Sequence, residues 1–230
     1  MDPGLLEILS RVDTPTVCNA IEVAQGRRGF AAFTRGTMVC TEPGRAIVGY
    51  AVTAQIAALA PTTEMPEMIR TRRMAYYRAM HDGPKPSVAV VEDLDWPYCI
   101  GAFWGEINTT VHKGFGMSGA LTNGVVRDLG DLPQGFPVIA GSVGPSHGFV
   151  HVRSLGQPVR VMGLEVRQGD LIHADRHGAL VVPSEVIGEL ASGIRKLQET
   201  ERLILAPARQ PGFNFEAFEA AWKAFEKART

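Results

Sequence analysis

The sequence predicts a mixed α/β fold in which helices at both ends enclose a strand-rich middle. Three observations carry that reading. Apolar, β-branched runs occur at 45–59, 88–93 and 136–140, and shorter ones crowd between 159 and 182. Helical periodicity marks the ends, most plainly over Val186, Ile187, Leu190, Ile194 and Leu197. Glycine and proline punctuate the chain between these segments, with neither a repeat nor a linker. The 230 residues therefore read as one domain, long enough to bury a substantial core.

Taken in order, Leu5, Leu6, Ile8 and Leu9 predict a short first helix ending near Val12. Asp13 or Thr14 caps the next, with Pro15 in its first turn and Val17, Ala20 and Ile21 on the buried side. Residues 25–35 are a Gly- and Arg-rich loop. Arg45 to Leu59 alternates as a strand between Pro43-Gly44 and Pro61. Residues 63–80 read as a helix with Pro66 near its start and Met68, Ile69 and Met74 on its apolar side. Its arginines, Arg70, Arg72, Arg73 and Arg78, read as a solvated face. Val88 to Asp93 is a buried strand, and Asp93 and Asp95 stand where carboxylates ordinarily cap loops.

Phe136 to Ala140 is a further strand. The loop 141–148 is glycine-rich but opens no helix, so it is not a phosphate loop. His147 and His151, like His173 and His177, are four residues apart. Gly148 in the first pair and the strand-turn-strand pattern around the second leave neither pair on a shared helical face, and neither reads as a metal site. Segments 159–162, 164–166, 171–173 and 179–182 predict a compact β-rich layer. Pro183-Ser184 opens a long helix that Pro207 to Pro211 breaks, and Phe215 to Phe225 resumes as an amphipathic helix.

Composition excludes several classes. With 23 basic and 24 acidic side chains the net charge is −1, which leaves no electrostatic footprint for nucleic acid. Cys18, Cys40 and Cys99 are odd in number and widely spaced, matching neither a disulfide framework nor a zinc site and fitting a reducing cytoplasm. No apolar run approaches the roughly 18 residues of a membrane span, and the N-terminus lacks a signal-peptide pattern.

The most informative stretch is 101–131, GAFWGEINTTVHKGFGMSGALTNGVVRDLGD. It reads as a tight loop, a helix carrying Ile107, Val111 and Phe115 on its apolar face, a short strand at 120–122, a turn at Asn123-Gly124 and apolar Val125-Val126. An adjacent cation and anion follow, Arg127 and Asp128. The helix start after Gly105 is anion-seeking, because its first amides lack intrahelical partners and sit at the positive end of the dipole. Arg127 offers a planar fork to a carboxylate and Asp128 hard oxygen to a cation. Either feature alone is ordinary: an Arg-Asp pair after a strand is commonly solvated, and an acidic first turn simply suits a helix. Trp104 adjoins the proposed site and reads by default as core packing, alternatively as a wall of the site.

This stretch resembles the RraA-like proteins, a family that includes 4-hydroxy-4-methyl-2-oxoglutarate aldolases. Their signature is an acidic residue, twenty intervening residues and Arg-Asp; here it is Glu106, then 107–126, then Arg127-Asp128. The resemblance extends from Thr14-Pro-Thr-Val-Cys-Asn-Ala-Ile21 to Gly169-Asp-Leu-Ile-His-Ala-Asp-Arg-His-Gly-Ala-Leu-Val-Val-Pro183. It implies a single-domain α/β/β/α sandwich, a trimer or hexamer with the site between subunits, a divalent cation (Mg²⁺ or Mn²⁺) and a small 2-oxo-acid substrate. Carried over residue by residue, Asp128 holds the metal, Arg127 binds and polarises the oxo acid, and Glu106 orients metal-bound water. Main-chain amides from Gly105 through Glu106 and Ile107 to Asn108 receive the carboxylate. A neighbouring subunit's Glu201 or Glu199 is a weaker candidate to assist.

The activity so implied is a metal-dependent carbon–carbon lyase. It cleaves a 4-hydroxy-2-oxo acid to pyruvate and decarboxylates oxaloacetate, with negative charge developing on the keto oxygen. Alternatives are the same chemistry on another keto or sugar acid, and a non-catalytic regulator of the ribonuclease-inhibitor type. The sequence departs from the aldolase pattern at Asp131, where a basic residue is usual, at Asn123, where Asp is frequent, and at Glu106, commonly Asp.

Overall fold

In the computed structural model, which describes residues 1–229, two aspartates start the chain's first helices. The Asp2 carboxylate accepts from the Leu5 amide to cap α1 (Pro3–Leu9), and Asp13 accepts from Thr16 to cap α2 (Thr14–Gln25). Thr14 is not the cap. It turns inward, where its amide donates to Asp175 Oδ2 and its hydroxyl to His173 Nδ1. The chain continues through β1 (Val39–Cys40), β2 (Ile47–Ala57), α3 (Pro66–Asp82), β3 (Ser87–Asp93), β4 (Ala102–Trp104), α4 (Glu106–Gly114), β5 (Met117–Thr122) and β6 (Val125–Val126). It ends with β7 (Val138–Ala140), β8 (Ser142–Val143), β9 (His151–Leu155), β10 (Val159–Val161), β11 (Leu164–Val166), β12 (Leu171–Asp175), β13 (Gly178–Val182), α5 (Ile187–Ala208) and α6 (Phe215–Arg229).

The main sheet runs β1-β7-β5-β3-β2-β12-β13, with parallel pairing from β7 through β5 and β3 to β2. The long β2 serves two antiparallel partners: its first half pairs β12 and its last residues pair β9 across a register shift at Gln55/Ile56. One sheet face, bearing Val52, Ala54, Ala89 and Val91, packs under α3 with Tyr76, Met80, Trp104 and Phe136. The other, bearing Ala51, Val88, Val90 and Leu121, meets the β10–β11 hairpin. Helices α1, α2 and α5 close the far side over β12 and β13 through Leu9, Ile21, Leu180, Leu190 and Ile194. This is a mixed α/β layered fold of the α/β/β/α kind. No helix among the described residues is long and apolar enough to cross a membrane.

Several expectations change. The apolar side of α3 is Tyr76 and Met80, while Met68 and Met74 are exposed. On α4 the buried side chains are Thr109 and His112, and Ile107 is 74% exposed. Both helices carry polar groups that find buried partners, a fact that periodicity of apolar residues does not register. The segment 102–104, read as loop, is strand β4, and β9 was not legible at all. The four strands at 159–182 do not form one layer: β10–β11 stands apart, whereas β12–β13 extends the main sheet. Helix α5 runs past Pro207 to Ala208, so the break starts later. His147 and His151 each bond a nearby carbonyl, and His173 and His177 have separate partners. No group of three or more His, Cys, Asp or Glu suited to a metal occurs among the described residues.

His112 is buried under α3. Its Nδ1–H donates to the Asn108 carbonyl and its Nε2 accepts from the Tyr76 hydroxyl at 2.7 Å. Burial pushes its pKa down to about 4, with the Asn108 hydrogen bond opposing and the Lys85 charge adding. Burial also lowers His173. The unfolded chain then protonates first as pH falls, so stability is intact above about 6.5 and is lost between there and about 4. Urea denaturation at pH 7 and pH 4.5 should show a decline of roughly 3 kcal/mol for His112 across the full window. A His112→Gln protein should have a shallower slope; an unchanged slope would show that His112 does not drive it.

Candidate functional site

The site is built by a small parallel sheet. Trp104 at the end of β4 pairs with Val126 at the end of β6, and the Arg127 amide donates to the Trp104 carbonyl at 2.8 Å. Parallel strands leave a sheet at the same edge, so the residues that follow each one become neighbours. After β4 these are Gly105 and Glu106; after β6 they are Arg127 and Asp128. The twenty-residue spacing is thus the length of one helix, two strands and the turn between them.

Asp128 adopts a left-handed backbone, φ 55°, in a turn closed by the Asp131 amide on its carbonyl. Aspartate tolerates that region better than most residues. The turn brings the carboxylate to the start of α4, where Oδ2 accepts from the Glu106 amide at 3.0 Å and lies 3.3 Å from Arg127 Nε. Gly105 occupies the capping position and has no side chain to cap with, so Asp128 performs that task from the neighbouring strand. A Cβ at position 105 would sit 2.5 Å from Asp128 Oδ2 and 3.0 Å from Arg127 Nε. Only glycine lets the three groups meet.

These internal contacts leave a specific remainder. Asp128 Oδ1 and both terminal nitrogens of Arg127 make no hydrogen bond within the described residues, nor do the amides of Ile107 and Asn108. The Arg127 and Asp128 side chains are 31% and 34% exposed, and the Glu106 side chain faces solvent. One hard oxygen, a two-pronged cation and two helix-start amides are therefore left uncommitted around one glycine. The donor set suits a cation that keeps most of its water, as Mg²⁺ does, rather than one needing a full protein cage.

The helix start is held from α3. Tyr77 donates to Asn108 Oδ1 at 2.6 Å, and Asn108 Nδ2 donates to the Phe103 carbonyl. With Tyr76 on His112, two adjacent tyrosines fix α4 at its first and last turns. Neither tyrosine nor His112 was singled out in the sequence, where a Tyr-Tyr pair on a helix carries no distinguishing signal. The Asn108 side chain is committed to this clamp, so it offers a ligand only its amide.

Trp104 does not wall the site. It is fully buried against Phe103, His112 and Phe136, and it serves the site through its carbonyl. Asn123 likewise lies elsewhere, its amide bridging the Asp93 main chain and tying β5 to β3. Asp93 and Asp95 cap loops: Asp93 Oδ1 accepts from Asp95, and Asp95 Oδ2 from Ala58 and Leu59. Burial raises the Asp93 pKa. Glu201 lines a separate cleft beside Asn19 and Arg27, and no hydrogen bond or ion pair among the described residues ties it or Glu199 to Arg127 or Asp128.

A family profile described as RraA-like, Aldolase/RraA, matches residues 14–181 and so spans both strand ends of the site. The chain belongs to the RraA-like family. An uncharacterized protein of Methanocaldococcus jannaschii is 30% identical over 105 residues, 45% of this chain and 50% of that protein. The chain spans half or less of the curated relatives that it matches. A Pseudomonas syringae pv. tomato protein of solved structure superposes with a TM-score of 0.68 at 21% identity, covering 98% of this chain and 96% of that one. Streptomyces coelicolor RraAS2, described as an unusual member of the RNase ES inhibitor RraA family, does so at 0.67 and 22%, covering 88% and 96%. At these identities the likeness is one of fold.

Two substitutions test the geometry. Gly105→Ala should lower stability by about 1–3 kcal/mol in chemical denaturation, because its methyl overlaps the Asp128 carboxylate. Tyr77→Phe should cost about 1–3 kcal/mol by leaving Asn108 Oδ1 without its donor. Wild-type stability in either variant would contradict the corresponding contact.

Proposed function

We propose that this protein is a divalent-metal-dependent carbon–carbon lyase acting on a small 2-oxo acid. Its reactions would be cleavage of a 4-hydroxy-2-oxo acid to pyruvate and decarboxylation of oxaloacetate. The observation that supports this reading is the uncommitted set around Gly105: Asp128 Oδ1, the Arg127 fork, and the Ile107 and Asn108 amides.

The amides, at the positive end of α4, receive the substrate carboxylate. Arg127 lies with its Nε anchored on Asp128 and its terminal nitrogens free, so it can face an adjacent oxygen as charge grows there. Asp128 would hold Mg²⁺ or Mn²⁺ through Oδ1 while Oδ2 stays on the helix, and Glu106 would orient nearby water. When bound, the cation supplies Lewis-acid stabilisation of the keto oxygen. A homo-oligomer placing a second copy's Glu201 or Glu199 at this edge completes the proposal.

A lactate-dehydrogenase-coupled assay with oxaloacetate and 4-hydroxy-2-oxo acids, with and without Mn²⁺, tests it. Pyruvate release should require the metal. Asp128→Asn keeps an oxygen for the helix cap and a residue suited to φ 55°, so the fold should survive while turnover falls by about 10²–10³-fold. Arg127→Ala should weaken both turnover and oxalate inhibition. Release that persists through chelation and both substitutions would place the chemistry elsewhere. No release from any keto acid, from protein shown to be folded, would favour the regulatory alternative that the description of the Streptomyces coelicolor relative suggests.

A further inference from the structure

Helices α2 and α6 both pack on α5 and leave a cleft of about 680 Å³ between them. That volume lies in the range of small-molecule sites. Its apolar lining comes from all three helices: Val23 of α2, Leu197 of α5 and Phe225 of α6. Arg27, Arg28 and Lys196 stand around it, and none of the three has an ion-pair partner among the described residues.

The two arginines are presented by an anchored loop. Gly26 ends α2 in the left-handed conformation, φ 64°, and turns the chain at the cleft edge. Glu22 Oε1 then accepts from the Gly29 amide at 2.8 Å and from Phe30 at 3.1 Å, pinning the loop just past Arg28. One of the two carboxylates in the lining is therefore engaged, and Glu201 shares the lining with three cations. Thr200 turns its hydroxyl back on the Lys196 and Leu197 carbonyls and adds no donor of its own. A flat apolar body fits the lining, and a doubly charged tetrahedral anion matches two guanidinium forks and an ammonium.

We propose that this cleft is a second ligand site, one that takes a phosphate monoester carried on an aromatic ring. The phosphate lies among Arg27, Arg28 and Lys196, and the ring lies between Val23 and Phe225 over Leu197. Within one copy the cleft shares no lining residue with the Arg127–Asp128 edge, and the proposal does not depend on what that edge catalyses.

Titration calorimetry on the full chain with phenyl phosphate, inorganic phosphate and benzyl alcohol tests the proposal. Phenyl phosphate should bind saturably, with the two fragments, each lacking one half of the recognition, at least about tenfold weaker. Arg27→Ala and Arg28→Ala should each weaken phenyl phosphate by about tenfold, the worth of a charge-assisted hydrogen bond. Glu201→Gln should tighten it several-fold by removing the opposing charge. Val23→Trp, a surface change that fills the cleft, should abolish binding without altering the melting temperature of the free protein. Failure of phenyl phosphate to bind, equal binding of inorganic phosphate, or affinity indifferent to Arg27, Arg28 and Val23 would each overturn it.

Discussion

The hydrogen bond from the Arg127 amide to the Trp104 carbonyl is the contact on which the functional edge depends. It closes the parallel pairing of β4 and β6, and so makes neighbours of two chain segments that are 22 residues apart. Once paired, the geometry leaves little freedom. Gly105 starts a helix it cannot cap, and Asp128 caps it only by entering a left-handed turn that lays the carboxylate across the glycine. The Arg127 side chain follows because its Nε shares that carboxylate oxygen.

One carboxylate thus has a structural oxygen and an open one. Oδ2 completes a helix start and pairs with a guanidinium, and Oδ1 remains toward solvent. The structural role explains the rigidity that the proposed chemical role requires. An aspartate whose position is fixed by a main-chain amide has little rotamer freedom left to lose when it takes a ligand. The same logic extends outward, since the amides of Ile107 and Asn108 are only as well placed as α4 itself. Tyr77 on Asn108 and Tyr76 on His112 hold that helix against α3, and burial favours the neutral state of His112.

Much of this was legible in the residues, though unevenly. Gly105, Glu106, Arg127 and Asp128 are each ordinary alone and stand out only in combination, as an acidic helix start and an Arg-Asp pair at the twenty-residue spacing of the signature they resemble. For Trp104 the default of core packing holds and the alternative of a wall does not, two readings the sequence cannot separate because an aromatic beside a site looks the same whether it faces in or out. Asn108 reads in sequence as a helix-start amide at the site, and its side chain belongs to a clamp whose other half lies 31 residues earlier. The apolar faces assigned to α3 and α4 failed for a related reason: Tyr76, Thr109 and His112 are buried as satisfied polar groups, while Met68 and Ile107 are exposed.

The sequence by itself determined the α/β class, most element positions, the helix starts near Asp13 and Gly105, and the spacing between the two halves of the site. Each of these rests on local conformational preference or on the period of apolar residues, which neighbouring positions are enough to express. Tertiary structure alone decided that β4 is a strand, that it pairs in parallel with β6, that Asp128 caps a helix it does not belong to, and that α2 and α6 stand apart over α5. Those are choices among partners distant in the chain, settled by hydrogen-bond pairing and packing between elements, for which a linear pattern carries no signal.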